Sequence, residues 1–388
     1  MGYFIYVFRD LLLTYKTWAE FESFLTSTEG GKIRCAGEGR YRILRYVKGV
    51  SNLNLPHVKW MRSVVWDTQT HLPVCIAPPK AEADYASMPS GENLPHIQDF
   101  LDGMMINAFC TQENPTNIQI ATRSQVGANG TFYSKKTFAT MLDEALQTMG
   151  FTKKSLVEIL SRPTEMVPSQ FLSLVLQHPE HRVVSRCRSP RLWLVHTGAV
   201  LDDGTFSISE DYDEWPFKLR IPSYTVPDDP KVFFETQCEK NGWFYQGITV
   251  KDRNGHRWRF RNPRFQYLRN LRGGEADPVD RFLRLRSESK ISEYLRHYGE
   301  DRDTFWNLEE TLRRKTHEVF RSYCSVHKSR EKKLEDLPWE IRPCVFKLHS
   351  HYLEHLRSKN EKLSMQDTVH LVNNLLIFEQ KRLIVPPA

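Results

Sequence analysis

Between residues 97 and 130 the alternation of apolar and polar positions marks two β-type runs. The first, from Ile97 to Phe109, is rich in apolar residues and is interrupted by Asp102-Gly103. After a short polar break, Ile118, Ile120 and Thr122 alternate with polar residues, and Arg123, Ser124 and Gly127-Ala128-Asn129-Gly130 follow. An Asp-Gly pair between β-rich runs predicts a hairpin or a strand followed by a turn. A cation followed by small residues at a strand end is also a setting in which backbone amides hold phosphate. The stretch is therefore either a hairpin packed on a core or one wall of an anion site.

The same reading assigns the rest of the chain. Trp18, Phe21, Phe24 and Leu25 fall on one face of a helix over residues 17–25. Residues 41–47 and 62–67 read as strands, turn residues and the run 73–80 follow, and residues 81–95 read as a loop. A helix opens near Ser134 and runs through Phe138, Met141, Leu142, Ala145 and Leu146 to Gly150, with a second helical segment over 153–160. Residues 171–176 are an apolar strand, 177–184 turn into another, and 192–196 form a further one. Residues 209–230, with clustered Asp, Glu and Pro, read as an exposed connection. Asn254-Gly255 between residues 244–252 and 256–262 is a preferred hairpin signal. Beyond Gly273-Gly274-Glu275-Ala276-Asp277-Pro278 the pattern turns helical, over 279–295, 303–327, 341–357 and 365–382, with Ser364 as an N-cap. The expected organisation is α+β, with a β-rich domain over 1–275 and an all-helical domain over 276–388.

In the second strand of the predicted hairpin, Arg257, Arg259 and Arg261 point one way and Trp258 and Phe260 the other. A row of arginines is not a core. It is either a solvated face or an anion-binding one. Lys251, Arg253, Arg264, Arg269 and Arg272 flank it against the single acid Asp252, with Tyr245, Trp258, Phe265 and Tyr267 interleaved, a composition suited to single-stranded nucleic acid.

Composition narrows this only a little. The 388 residues, 40% hydrophobic and 12% aromatic, are those of a globular chain, and a net charge of +7 permits a polyanionic partner without demanding one. Seven scattered cysteines with no Cys-x-x-Cys pair fit a reducing, cytoplasmic compartment. The apolar start at Gly2 to Phe8 lacks a basic lead and a cleavage site, and Tyr6 sits where N-myristoylation wants Ser or Thr. No membrane span is expected. His178, His181, His196 and His256 could be grouped as a metal cluster, but no thiol or carboxylate shares their spacing, and His349, His351 and His355 read as surface positions on one helix. No metal site is expected.

Taken in order, these segments resemble the nucleotidyltransferase core of phage-type, ATP-dependent RNA ligases over roughly residues 60 to 273. Arg62-Ser63-Val64-Val65-Trp66-Asp67 resembles the strand that carries Arg-Gly in that family, and Phe100-Leu101-Asp102-Gly103 stands at its Lys-x-Asp-Gly motif. Thr122-Arg123-Ser124 with Gly127 resembles the next, phosphate-side motif. Leu174 to Val184 is similar to the Phe-Glu-x-x-x-Pro-x-Asn-Arg-Ile-Val segment. Gln246-Gly247-Ile248 stands for Glu-Gly-hydrophobic, and Trp258-Arg259-Phe260-Arg261 for the lysine-bearing strand that closes the site. The resemblance implies an antiparallel-sheet nucleotidyltransferase core, ATP and Mg²⁺ as the family's cofactors, and RNA as partner. It also implies a nucleotide pocket at Asp102, Gly103, Arg123, Arg182, Arg259 and Arg261. Variants of this kind occur among large DNA viruses, which implies a virus-encoded or virion-associated protein.

The departures decide the expected activity. Self-adenylylation needs an amine nucleophile, and Phe100 has none. Val175 stands where a carboxylate is expected, and Gln246 replaces a glutamate that would help hold the metal; a neutral amide is a much weaker Mg²⁺ ligand. Anion-holding charge is kept while nucleophile and carboxylates are lost. The leading expectation is a catalytically degenerate RNA-ligase-like protein that binds nucleic acid in a basic cleft through Arg257, Lys251 and Arg264 as well. One alternative is an active ligase or nucleotidyltransferase with relocated groups, using Lys80, Lys135 or Lys136. Another is a virion structural protein that uses the scaffold, or its helical domain, for protein contacts.

Overall fold

The computed structural model describes residues 2–83, 88, 96–160, 162–210, 221–224, 227 and 229–385. The expected loop at 81–95 and connection at 209–230 lie largely outside them. The chain divides into two compact units, one ending at Arg269 and one beginning at Asn270.

The first unit opens with β1 (Gly2–Ile5), α1 (Val7–Thr14) and α2 (Trp18–Thr26). The apolar start is thus part strand, part helix, because the backbone turns helical at Tyr6. Thr17 caps α2: its hydroxyl accepts from the Glu20 amide at 3.3 Å, and the Glu20 carboxylate accepts from the Thr17 amide at 3.1 Å. Next come β2 (Arg34–Ala36), β3 (Tyr41–Arg45), β4 (Val64–Asp67) and β5 (Leu72–Ile76), an antiparallel sheet in that order. Then follow β6 (His96–Asp99), β7 (Met104–Thr111), β8 (Asn114–Ala121), α3 (Phe138–Thr148), α4 (Lys153–Ile159), β9 (Ser169–Gln177), β10 (Arg191–Val200), β11 (Phe206–Ser209) and β12 (Ser223–Tyr224). The unit closes with α5 (Pro230–Asn241), β13 (Gly247–Lys251), β14 (Arg257–Arg261) and most of α6 (Pro263–Arg272).

A six-stranded antiparallel sheet, β1-β11-β10-β9-β7-β8, is the body of this unit. Its strands alternate between two cores. Ile106, Ala108, Leu172 and Leu174 pack with Met141, Leu142 and Leu156 of α3 and α4. Phe109 and Phe171 point the other way, into a cluster with Trp66 and Phe206. A separate four-stranded sheet has the order β12-β6-β13-β14.

Of the two readings of Asp102-Gly103, the strand followed by a turn holds and the hairpin does not: β6 belongs to the four-stranded sheet and β7 to the six-stranded one, so the pair turns the chain from one sheet to the other. A Cβ on Gly103 would stand 2.6 Å from Val175 Cγ1 and 2.7 Å from the Leu176 carbonyl oxygen, so this crossing has room only for glycine. The hairpin in this stretch is β7–β8. Residues 182–184, expected as a strand, are irregular, because the Val184 amide is spent on the Asp102 side chain. The Asn254-Gly255 hairpin does form, between β13 and β14. The Asp252 carboxylate organises its connection, accepting from the amides of Asn254 and His256.

The second unit is helical: α7 (Pro278–Ser287), α8 (Ile291–His297), α9 (Arg302–Tyr323), α10 (Arg342–His351), α11 (Met365–Asn373) and α12 (Ile377–Ile384). Two expected long helices are each broken in two, the first at Ser289, whose φ of +57° no right-handed helix accommodates. Ser364 caps α11 with Asp367 in a reciprocal pair. Among the described residues no helix is long and apolar enough to cross a membrane. All seven cysteines are free thiols.

Candidate functional site

The hairpin β13–β14 splits the four-stranded sheet into two chemically opposite faces. Trp258 and Phe260 are buried with Ile97, Ile248 and Val250. Arg257, Arg259 and Arg261 are half-buried on the other face. Their cross-strand partners on β13 are Lys251, Thr249 and Gly247, and Thr249 pairs in turn with Gln98 of β6. This face is polar yet largely covered. The Gln98 Nε2 and Thr249 Oγ1 atoms are buried without a hydrogen-bond partner among the described residues, and such groups normally find one.

Arg62, just before β4, lies among these arginines. Burial and the like charges of Arg257, Arg123 and Arg259 pull its guanidinium down to about 10, with Tyr46 acting the other way. The series continues across the small sheet. Arg123 lies over the Tyr46 ring at 5.3 Å. Burial and the charges of Arg34 and Arg123 likewise lower Arg45, and Arg34 and Arg45 stand directly opposite each other in the β2–β3 register. Like charges in that position repel. Arg62, Arg123 and Arg259 form no ion pair among the described residues. The backbone of Glu82 lies along the outer side of β14, donating its amide to the Arg257 carbonyl and accepting from the Arg259 amide, while Lys80, two residues earlier, donates its amide to the Lys59 carbonyl.

Lys251 does not join this charged face as a free cation. It is buried, with its ammonium 2.6 Å from Glu210 Oε1. Beside the pair is His196, buried and hydrogen-bonded to the Ile76 carbonyl. Burial, opposed by Glu210, brings its imidazole down to about 4 and keeps it neutral.

At the motif positions the chemistry is apolar. The Phe100 amide donates to the Gly247 carbonyl at 2.8 Å, and the Arg261 guanidinium lies 5.4 Å from the Phe100 ring centre. Arg261 also donates to Gln266 Oε1. Val175 belongs to a cluster with Val195, Ile221, Leu101, Met105 and Trp193, so the expected carboxylate position lies in an apolar patch. Gln246 is buried, and its carbonyl accepts from the Asn262 amide. Asp102 organises the chain rather than facing a ligand. Its carboxylate accepts from the Val184 and Ser185 amides at 2.9 and 2.8 Å. Its carbonyl accepts from Gln177 Nε2, and Gln177 Oε1 from the Trp193 indole. Burial pushes the Asp102 carboxyl up, while the two amides and Arg269 pull it down.

Arg182 is buried, donating from Nε to the Val184 carbonyl and lying 5.7 Å from the Phe244 ring. Arg264 is exposed on α6, over Trp243 at 5.8 Å. Of the predicted residues, Arg123, Arg257 and Arg259 act as like charges on Arg62, and Asp102, Gly103 and Arg182 lie at the sheet crossing, while Lys251, Arg261 and Arg264 belong to neither group. Arg62 as a charge, Arg34 and Arg45, and the exposed Trp243 and Phe244 were missed. The Arg-x-x-Arg spacing of β3 was a signal for the small sheet, but only the strand register reveals which arginines meet. Of the aromatics read as interleaved with the basic segment, Trp258 and Phe265 are core residues, because both the sheet and α6 need an apolar face.

The family's cofactors fit poorly. Mg²⁺ wants carboxylate oxygens, and here Asp102 is committed to amides and Glu210 to Lys251. The histidines serve elsewhere: His178 pairs with Glu144, and His256 with Asp252. Among the described residues no group of three or more His, Cys, Asp or Glu side chains is placed to hold a metal. Of the substitute lysines, Lys136 is held protonated by Glu144 and Glu180, which raise its pKa, the opposite of what an amine nucleophile needs. Lys135 is exposed. The sequence matches no family model and no curated protein.

Proposed function

We propose that this chain is a catalytically degenerate relative of the phage-type RNA ligases, built on their nucleotidyltransferase core, that binds RNA along its arginine face without adenylylating itself. The observation that carries this reading is the setting of Arg62. Arg62, Arg123 and Arg259 act on one another as like charges and form no ion pair among the described residues, and a phosphate backbone would stabilise such a group at several points together. The buried, unpartnered Gln98 and Thr249 side chains on the same face add donors and acceptors for a sugar or base. Phe100 under Arg261, the apolar surroundings of Val175 and the ion-paired Lys136 speak against an active ligase with relocated groups. A virus-encoded protein acting in the reducing cytoplasm, with protein contacts through exposed Trp339, Phe346 and Phe378 of the helical unit, fits the same picture.

Incubation with α-labelled ATP and Mg²⁺, followed by a denaturing gel, tests the degenerate part of the reading. No labelled protein band is expected. A band that survives denaturation overturns it, and substitution of Lys80, Lys135 and Lys136 in turn would then locate the nucleophile.

A further inference from the structure

Beside the arginine strand lies a cluster that the ligase resemblance leaves unexplained. Trp243, Phe244 and Tyr267 are 40, 38 and 43% exposed, although large aromatic rings are ordinarily buried. Two separate segments bring them together. A 3₁₀ turn over Gly242–Phe244 carries the first two, and α6 carries Tyr267, whose ring centre is 6.3 Å from that of Trp243. The turn is tied to α6 by Asn262 Nδ2, which donates to the Gly242 carbonyl at 2.9 Å, and to the 182–186 loop by Ser185 Oγ, which donates to the Phe244 carbonyl at 2.6 Å. The rings are thus held on a fixed frame.

Cations are set against their faces. Arg182 and Arg186 lie 5.7 and 5.3 Å from the Phe244 ring centre, and Arg264 lies 5.8 Å from that of Trp243. Arg186 and Arg264 are themselves exposed. Tyr245 and Gln246 lead directly from the turn into β13, whose first residue, Gly247, pairs with Arg261 at the end of the arginine strand. A strand whose phosphates run along β14 therefore meets the rings next.

We infer that Trp243, Phe244 and Tyr267 form a stacking surface for the bases of single-stranded nucleic acid, with Arg186 and Arg264 receiving the adjoining phosphates. Exposed rings with interleaved arginines suit a single strand, whose bases are free to stack, and not a duplex, whose base faces are covered. The surface is sequence-tolerant, since every base offers a π-face. This assignment rests on the nucleic-acid reading of the arginine face.

Two probes separate the claims: a short, fluorescein-labelled single-stranded RNA of mixed sequence, and inorganic polyphosphate, which has charge but no bases. W243A and Y267A should each weaken RNA binding by roughly 5- to 150-fold while leaving its salt dependence and polyphosphate competition unchanged. W243F and Y267F keep a ring and should restore most of the loss, which excludes simple misfolding. Unchanged RNA affinity in the alanine variants, with R259Q/R261Q weakened, overturns the stacking surface, leaves the arginine face standing and reassigns the rings to a protein partner. Equal loss for RNA and polyphosphate also overturns it, since bases would then play no part. If neither set of variants alters RNA binding, both readings fall.

Discussion

Both units hold groups of neighbouring arginines, and one group in each is built in the opposite way, although Arg40 of the β-rich unit also meets Asp67 and Glu113. In the helical unit the guanidinium groups meet carboxylates. Arg272 and Arg281 share Asp301 at 2.8 and 3.2 Å, Arg284 pairs with Glu275, and Arg286 with Glu309. In the β-rich unit Arg62 is surrounded by Arg123, Arg257 and Arg259, and Arg34 faces Arg45. Composition does not separate these cases. A matched cation contributes to its own fold, whereas Arg62, Arg123 and Arg259, which form no ion pair among the described residues, are like charges held in place by the sheet.

The largest expected effect breaks the matched side. Asp301 accepts from Arg272 and Arg281 and also bonds the Tyr294 hydroxyl, and both arginines are almost fully buried. D301A leaves two buried cations without their partner and should cost about 3–5 kcal/mol, read as a lower urea midpoint of the helical unit by circular dichroism. A loss below about 1 kcal/mol would mean that matched and unmatched arginines differ less than we argue.

Next in size is a pH effect in the β-rich unit. His196 is neutral in the fold down to about 4, against an ordinary value near 6.5. Above pH 6.5 it is neutral folded and unfolded, so its contribution to stability is complete. As pH falls from 6.5 towards 4 the unfolded chain takes up a proton that the folded one refuses, and stability drops by up to about 3 kcal/mol. Urea unfolding across this window should show the fall, and H196Q, which does not titrate, should flatten it.

Smallest in stability, and opposite in sign, is R62M. Removing a cation from a like-charged group should leave stability unchanged or raise it by about 1 kcal/mol, while weakening RNA binding about tenfold. Thermal unfolding beside an RNA titration checks both. Destabilisation with intact binding would make Arg62 a structural residue.

Much of the fold was readable because periodicity is a local property. The Ser364 cap of α11, the β13–β14 hairpin and the opposite facing of Trp258 and Arg259 all follow from spacing and turn chemistry. Register and sheet membership are not local. Asp102-Gly103 carries the same signal whether it closes a hairpin or passes between sheets, and what decides is the packing of Gly103 against Val175. For the same reason Lys251 read as a surface cation: its partner, Glu210, is 41 residues away in sequence. Arg62 passed as an ordinary strand residue, since the charges that define it come from β14 and from Arg123. Trp243 precedes the strand pattern and gave no periodic signal, and Phe244 read as the first residue of a strand, where the fold makes a 3₁₀ turn.

The central claim, that the arginine face is a phosphate-binding one, is tested most directly by the salt dependence of single-stranded RNA affinity. Each neutralised phosphate should contribute roughly 0.7 to the slope of log affinity against log salt. R259Q/R261Q keeps side-chain size and hydrogen bonding but removes two charges, and should lower both affinity and slope. R313Q/R314Q makes the same charge change on α9, where Arg313 is already matched by Glu309 and Glu310, and should leave both nearly as they are. Equal weakening by the two double variants would reduce the attraction to diffuse net charge. No effect of R259Q/R261Q would contradict the account outright and leave the arginine strand a solvated face.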